Sequence, residues 1–325
     1  MTVTNKKRVS YLIKACILVL AFWFIYYEYS KKKNHGLRDF ETLLGQIGHT
    51  QVIISLTAVV LLMVVNWVLE SLKWRYATRK IVTISPWVAI ESVFCGLTWA
   101  IFTPNRLGEY GGRVMFLPNR KRILGVFAMA VAGFGQNLLT NVLGVSGVVW
   151  FCYRFFHLNA LLLTGITAGA VCIISFFIIF YFNIKWLVWL LDKVSFLKKY
   201  QRFFEILGRY KTDELLKLLA FSISRFFVFT LQYYIIMHML IPQMAAFDMV
   251  MMLFVFFFIQ SAVPSLDLLD IGVRSLTAST LFNYVTGQHI AIIASVSFIY
   301  VVNLIVPALI GTIFVFKLKF FDRTA

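Results

Sequence analysis

Two short segments of the sequence carry an acidic residue, a glycine and an arginine at the same spacing. They read Glu109-Tyr110-Gly111-Gly112-Arg113 and Asp270-Ile271-Gly272-Val273-Arg274, and a proline precedes each of them, Pro104 and Pro264. Arginine offers a rigid fork of donors that binds phosphate oxygens in pairs. Glycine lets the backbone approach a ligand closely, and the N-terminus of an interrupted helix attracts anions. These residue types therefore indicate a site for an anionic group such as a phosphate.

The same charges also have a purely structural interpretation. In each segment the acid precedes the arginine by four positions, a spacing at which opposite charges pair on one helical turn. Arg225, near the middle of another apolar run, could line a shared cavity or could pair internally with Glu70 or Glu91. Both interpretations stay open. The candidate substrate-binding residues are Arg106, Glu109, Arg113, Asn137, Arg225, Asp267, Asp270 and Arg274.

Two further sets of polar residues fall within apolar runs. Asn66, Glu70 and Lys73 share one helical face near the end of a predicted span, where we expect ordinary solvation at the membrane interface. Asn137 and Asn141 form a polar stripe with Gly144. We expect this stripe to serve hydrogen bonding between helices more than substrate binding.

The composition identifies the class of protein that must position these residues. Of 325 residues, 60% are hydrophobic and only 14% are charged. Soluble domains are about 45–50% apolar and about 25% charged. A membrane helix needs about 20 apolar residues, so the predicted spans and their short loops leave no room for a separate soluble catalytic domain. The fold class is therefore an all-α polytopic membrane protein.

The apolar runs predict about six transmembrane helices and two re-entrant helical hairpins. The predicted spans cover residues 11–29, 52–69, 123–151, 158–182, 215–240 and 290–316. The first ends in bulky aromatic residues where a signal peptide would have small ones, so we expect it to be retained. Residues 86–118 and 247–285 are apolar but interrupted by Pro, Gly and charges, which is typical of backbone that re-enters a membrane inside a protein.

The arrangement of these segments predicts an inverted repeat in a single membrane domain. Repeat A covers about residues 52–151 and repeat B about 214–316, and an amphipathic linker over 183–213 suits the cytoplasmic interface. The distribution of Lys and Arg puts both termini in the cytoplasm and gives the two hairpins opposite orientations, with Lys31–Lys33 as an exception. Inverted repeats with broken helices are a recurrent plan of transporters. We expect the cell membrane as the location.

The remaining composition excludes several kinds of partner. The net charge of +17 comes from Lys and Arg that flank apolar runs, so we expect contact with membrane lipids and no nucleic acid. The four cysteines and five histidines show no paired or ligand spacing, so we expect no disulfide, metal or cofactor. Gly165-x-x-x-Gly169 predicts close packing of a membrane helix. The sequence leaves room for a homo-oligomer.

The motifs of the two broken segments resemble a known family. Pro104-x-Arg106-x-Gly108-Glu109-x-x-x-Arg113 and the later Pro264 with Gly272-Val273-Arg274 are similar to the membrane domain of the lysylphosphatidylglycerol synthase/flippase family, over about residues 50–316. The resemblance implies a flippase fold with facing hairpins and translocation of a phospholipid or a polyprenyl-phosphate-linked head group. Two features differ: Ser275 stands where relatives often have an acid, and with the sequence ending at Ala325 we expect no lipid aminoacylation.

The leading expectation for function is a lipid translocase that works by alternating access. No phosphate-binding loop of the Gly-x-x-x-x-Gly-Lys-Ser/Thr type occurs, so we expect transport that is downhill or coupled to an ion or a proton. The alternative is a membrane-embedded glycosyl or head-group transferase that acts on a polyprenyl phosphate, with Asp267 and Asp270 holding Mg²⁺. A third interpretation is a partner subunit that transports nothing.

Overall fold

The computed structural model describes most of the chain from residue 45 onward. The described residues are 45, 47–101, 103, 106–184, 186, 193, 207–262 and 267–315, without the side chains of 267–270. They are helical and contain no strand, which confirms the all-α class. The first predicted span, most of the predicted amphipathic linker and the last residues of the chain lie outside this part.

Nine α-helices follow one another along the described chain. They are α1 (His49–Thr78), α2 (Pro86–Ala100), α3 (Leu107–Val114), α4 (Arg122–Phe155), α5 (Ala160–Phe182), α6 (Thr212–Leu240), α7 (Ala246–Ala262), α8 (Asp267–Phe282) and α9 (His289–Val315). Short 3₁₀ turns occur at Asn119–Lys121 and Leu207–Arg209. Within α9, residues Val301–Ile305 form a π-helical turn.

Four helical segments are long and apolar enough to cross a membrane. They are His49–Thr78, Asn119–Phe155, Ala160–Phe182 and His289–Val315. These segments correspond to four of the six predicted spans, so the chain is an α-helical protein that suits a membrane. Helix α6, which corresponds to the predicted span over 215–240, has 29 residues but is not among the four.

Helices α2 and α3 form the first broken pair, and they are too short to cross a bilayer. Helix α2 has 15 residues and α3 has 8, which at about 1.5 Å per residue gives lengths of about 22 and 12 Å against about 30 Å of hydrocarbon. The two helices pack backbone to backbone, because a Cβ added at Gly112 would lie 2.6 Å from the Cα of Gly96. These glycines therefore set the separation of α2 and α3.

The first acid-x-Gly-x-Arg segment lies within a helix, although glycines and charges interrupt the predicted hairpin over 86–118. Both Glu109 and Arg113 belong to α3, and the break between α2 and α3 is limited to residues 101–106. A glycine inside a helix costs only about 1 kcal/mol relative to alanine. In α3 the contact of Gly112 with α2 offsets this cost, which is why the adjacent Gly111 and Gly112 do not interrupt the helix.

The hydroxyl of Thr103 fixes the start of α3. It accepts a hydrogen bond of 2.6 Å from the backbone N–H of Gly108, which is buried against α2. We expect Thr103→Val to lower the free energy of unfolding by about 1–2 kcal/mol, because it leaves a helix N-terminal N–H without an acceptor. Thr103→Ser retains the hydroxyl and serves as the control. Thermal unfolding in lipid nanodiscs measures the difference, and equal melting temperatures for both variants would contradict the assigned role.

The described chain contains the same order of helices twice. A long helix, two short helices and another long helix occur as α1 to α4 and again as α6 to α9, with α5 between the two sets. Helices α7 and α8, the second broken pair, have 17 and 16 residues, so they correspond to the predicted hairpin over 247–285. This order is compatible with an internal repeat, and the inverted repeat itself stays a prediction.

The two halves also contact each other in equivalent ways. Helix α2 packs along the end of α9, where Gly311 approaches the backbone of Phe94, and Thr98 donates a hydrogen bond of 2.8 Å to the carbonyl of Ala308. In the same manner α7 packs along α4, where Gly144 lies against Phe258. In each case a glycine in a long helix allows the first short helix of the other half to approach closely.

The core lies where the first long helices of the two halves, α1 and α6, pack against each other. Gln232 of α6 is fully buried, and its side-chain amide donates a hydrogen bond of 2.9 Å to the carbonyl of Val59 in α1. Because lipid is as apolar as a protein core, such close contacts and hydrogen bonds, rather than burial from water, hold membrane helices together. This pairing fixes the relative position of the polar residues further along both helices.

The packing predicted for the Gly165-x-x-x-Gly169 motif is absent from the described part of the chain. A Cβ added at either glycine would find no described atom within 4 Å. Helix α5 is mostly exposed, and among the described helices it packs chiefly against α4. The face with the two glycines therefore lies open to whatever surrounds the described residues.

Candidate functional site

A cavity of 440 Å³ lies between the two halves of the described chain. Six helices contribute to its walls: α1, α3, α4, α6, α8 and α9. We refer to it as the charged cavity, because its polar lining consists of Asn66, Glu70, Lys73, Arg106, Glu109, Tyr110, Gln136, Asn137, Arg225, Tyr233, Arg274, Tyr300 and Asn303. Both broken pairs reach it, the first through Arg106 and Glu109 and the second through Arg274.

Glu70 of α1 organises the cations at one wall of the charged cavity. Its carboxylate lies 2.6 Å from the guanidinium of Arg113 and 2.9 Å from the ammonium of Lys73, and it also pairs with Arg225. These partners come from α3, from α1 itself and from α6. One buried carboxylate thus joins the first broken pair to both long helices of the core.

Arg113 lies behind the charged cavity rather than on its surface. Its side chain is 2% exposed and pairs with both Glu70 and Glu109. The Glu109–Arg113 pair is the structural interpretation of the four-residue spacing, and it is present. Direct contact between Arg113 and a substrate stays a prediction. In the observed arrangement, Arg113 holds two carboxylates whose other sides face the cavity.

Arg106 owes its position to an unusual backbone conformation. It has φ 56° and ψ 27°, the left-handed region that residues other than glycine rarely adopt, and it directly precedes α3. From there Nε lies 3.4 Å from a carboxylate oxygen of Glu109, and the side chain lines the charged cavity. Non-glycine residues in this region cost about 1–3 kcal/mol and cluster at functional sites.

Both interpretations of Arg225 are correct. It pairs with Glu70, as one interpretation held, and it lines the charged cavity, as the other held. Its Nε also donates a hydrogen bond of 3.0 Å to the side-chain oxygen of Asn66, and its guanidinium lies 5.6 Å from the ring centre of Trp67. The aromatic ring adds a favourable cation–π contact at this distance.

The second broken pair contributes Arg274 to the charged cavity. The acidic residues predicted beside it, Asp267 and Asp270, have their backbone in the first turn of α8. Their side chains lie outside the described part, so their predicted roles stay predictions.

Asn137 of α4 lines the charged cavity, and its neighbour Asn141 does not. The hydrogen bond predicted for this stripe runs within one helix, since the side-chain amide of Asn141 donates to the carbonyl of Asn137 at 2.7 Å. Gly144 allows close packing against Phe258 of α7, which is a steric contact and not the predicted hydrogen bonding between helices.

The prediction for Asn66, Glu70 and Lys73 was wrong. We expected ordinary interfacial solvation, but the three residues are 3%, 6% and 2% exposed. Their spacing of four and three residues places them on one face of α1, and this face lies toward α3 and α6. This spacing within an apolar run was the available signal, because polar residues inside membrane segments usually face a cavity or a partner.

Cations outnumber carboxylates among the described side chains that line the charged cavity. Lys73, Arg106, Arg225 and Arg274 face Glu70 and Glu109, which is four cations against two carboxylates. With Arg113, which lies behind the wall, the described side chains of the cluster comprise five cations and two carboxylates. Within the low-dielectric surroundings of a membrane protein, this excess favours an anionic ligand.

Two residues that line the charged cavity, Gln136 and Asn303, each have a buried side-chain oxygen without a partner among the described residues. Asn303 is 7% exposed. Its side-chain nitrogen donates to the carbonyl of Ile299. Asn303 lies in the π-helical turn of α9, a distortion that is frequent at functional sites. Pro307, four residues after Asn303 in α9, was the available signal, because proline has no N–H to donate to the carbonyl of Asn303.

The described residues contain no group of three or more His, Cys, Asp or Glu side chains that could hold a metal ion. The guanidinium and ammonium groups at the charged cavity can bind and orient an anion. The chain was also compared with family models, curated proteins and solved structures, and nothing matched in any of the three.

Proposed function

We propose that the protein is a lipid translocase. It moves an anionic phospholipid or a polyprenyl-phosphate-linked lipid between the leaflets of the cell membrane, by alternating access at the charged cavity. The observation that carries this proposal is the excess of cations over carboxylates among the described lining residues, in a chain whose helices suit a membrane. Such charges are costly within a bilayer and usually mark a substrate path.

The repeated order of helices supports a transport mechanism. Arg106 and Glu109 come from the first broken pair and Arg274 from the second, so rocking of one half against the other would expose the same site to either side. We infer that the halves have opposite orientations and that both termini lie in the cytoplasm, as the Lys and Arg distribution predicts. The resemblance to the lysylphosphatidylglycerol synthase/flippase membrane domain favours the same activity.

The direct test is a leaflet-exchange assay. The purified chain is reconstituted into phosphatidylcholine vesicles with a trace of phosphatidylglycerol or of a polyprenyl phosphate, each carrying a fluorophore at the end of a hydrocarbon chain. Dithionite then bleaches the outer leaflet. We expect bleaching to proceed beyond the outer leaflet only in vesicles that contain the protein. Exchange at the rate of protein-free vesicles for both lipids would contradict the proposal.

Neutralising one cavity cation tests the role assigned to the charges. We expect Arg274→Gln to slow exchange of the anionic lipid about tenfold or more, because a hydrogen bond to a charged group contributes about 1.5–3 kcal/mol. Arg120→Gln is the matched control, since Arg120 is exposed in the 3₁₀ turn before α4 and does not line the charged cavity. Equal rates for the two variants would contradict the assignment.

The same vesicles distinguish the alternative function. A membrane-embedded transferase would yield a new covalent lipid product, visible by mass spectrometry and abolished by a chelator, as expected if Asp267 and Asp270 held Mg²⁺. We expect the lipids to be recovered with unchanged mass. Recovery of a product without leaflet exchange would replace the translocase by the transferase.

A further inference from the structure

A second cavity adjoins the charged cavity. It has a volume of 420 Å³ and lies between α4, α5 and α7. Asn137 lines both cavities, so the two meet at this residue. The side chain of Asn137 is exposed, and its amide makes no hydrogen bond to a described residue. The two cavities therefore adjoin at Asn137, where the lining changes from charged to aromatic.

The lining of the second cavity is aromatic where that of the first is charged. No charged side chain lines it among the described residues, and we refer to it as the aromatic groove. Its walls are formed by Phe134, Leu138, Phe176, Phe177, Phe180 and Phe258. Along α4 it extends from Phe134 to Asn141, seven residues or about 10 Å. A flexible hydrocarbon chain suits such a surface, and a second head group does not.

The aromatic groove opens to the outside of the described protein. Phe176, on its α5 wall, is 60% exposed. At its other edge the α7 residues Ser261 and Ala262 are small and exposed, so no bulky side chain among the described residues closes this edge. In a bilayer these edges face lipid. A chain that enters from the membrane can thus follow the aromatic groove as far as Asn137 without crossing a charged surface.

We propose that the aromatic groove binds the upper part of an acyl or polyprenyl chain of the lipid whose anionic head group occupies the charged cavity. This inference rests on the proposed function. Their shared lining residue and their opposite character argue for one amphipathic ligand that occupies both. At about 10 Å, the aromatic groove covers only part of a lipid chain, and the remainder lies in the bilayer. Asn137 then lies at the level where the head group joins the chain.

The test is photocrosslinking of a lipid chain to the full-length protein in nanodiscs. The probe is phosphatidylglycerol with a diazirine on one acyl chain, present in trace amounts in phosphatidylcholine, and mass spectrometry maps the labelled residues. We expect label at Phe177 and Phe180 that excess unlabelled phosphatidylglycerol removes. Label at Leu161 and Val171 reports bulk lipid, because these α5 residues are 82% and 58% exposed and lie outside the aromatic groove. This label should resist the competitor.

Two variants make the test specific. Ala262→Phe narrows the open edge of the aromatic groove. We expect it to reduce the competed label, which is the label that excess phosphatidylglycerol removes, to the level found at the exposed α5 sites. Ala168→Phe places the same side chain at an exposed position of α5 outside the aromatic groove and should leave the competed label unchanged. Arg274→Gln should also abolish the competed label, because it weakens the head-group end of the same ligand.

The outcomes separate this inference from the proposed function. Leaflet exchange by the wild type without competed label in the aromatic groove would overturn the inference and leave the translocase standing. Competed label without exchange would support the groove as a lipid site and count against the translocase. A photoreactive amino acid in place of Phe177 that crosslinks to residues 1–44 of the same chain, and not to lipid, would show that the protein itself fills the groove and would overturn the inference.

Discussion

Glu70→Gln is expected to destabilise the protein by about 3–5 kcal/mol, the cost of leaving buried charges without their partner. Glu70 contacts Arg113, Lys73 and Arg225, and its own side chain is 8% exposed. Glutamine keeps the shape of the side chain but removes its charge. Arg113 retains Glu109, whereas the salt bridge of Lys73 is lost. We expect the variant to unfold at a markedly lower temperature in nanodiscs.

The chain offers a matched control at Glu214. This carboxylate also bridges two cations, Arg79 at 2.6 Å and Lys80 at 2.9 Å, but their side chains are 41% and 28% exposed. Their charges remain solvated when the partner is lost, so Glu214→Gln should cost only about 1 kcal/mol or less. Glutamine at this position can still accept the hydrogen bond that the backbone N–H of Lys211 donates to Glu214 at the start of α6.

A second substitution tests whether the lost charge is the cause. Lys73 is 2% exposed and forms its salt bridge with Glu70, so Lys73→Met removes the cation that loses most when Glu70 is replaced. We expect Glu70→Gln with Lys73→Met to melt at a higher temperature than Glu70→Gln alone. The explanation fails if Glu70→Gln is as stable as Glu214→Gln and the double variant shows no gain.

The fold class could be predicted from the sequence because a bilayer imposes it. Backbone without water must satisfy its own hydrogen bonds, so long apolar runs become helices, and four of the predicted spans correspond to helices suited to a membrane. The interrupted runs were also recognised, since Pro104 and Pro264 with nearby charges stand out in apolar surroundings. The internal structure of the first hairpin was not predicted. It depends on Gly96 and Gly112, whose contact joins two segments that are separate in the sequence.

Part of the site was predicted because each broken segment carries its own charges. Arg106, Glu109, Arg225, Arg274 and Asn137 line one cavity, as a shared site requires. Glu70 was considered only as a partner of Arg225 or as a solvated residue, although its spacing with Asn66 and Lys73 within an apolar run was the available signal. The π-helical turn at Asn303 was missed although Pro307 follows four residues later in α9 and cannot donate a hydrogen bond to the carbonyl of Asn303.

Gly112→Ala is expected to abolish leaflet exchange and to destabilise the protein by about 3 kcal/mol or more. The added Cβ would lie 2.6 Å from the Cα of Gly96 and 2.9 Å from its nitrogen. Overpacking costs about 1–3 kcal/mol where side chains can yield, and here the obstructing atoms are backbone. Helix α3 must therefore move away from α2. Because Arg113 and Glu109 lie on α3, the charges that this helix contributes beside the charged cavity would shift with it.

Gly111→Ala provides the control one position away on the same short helix. A Cβ at Gly111 would meet nothing closer than the Trp99 ring at 3.8 Å, an ordinary contact, and alanine favours a helix over glycine by about 1 kcal/mol. We expect this variant to be as stable as the wild type or more stable, with exchange retained. The test compares the melting temperature and the lipid exchange rate of the two variants. If Gly112→Ala matches Gly111→Ala in both measurements, the contact between α2 and α3 cannot be what positions the charges, and Glu70 alone must hold Arg113 in place.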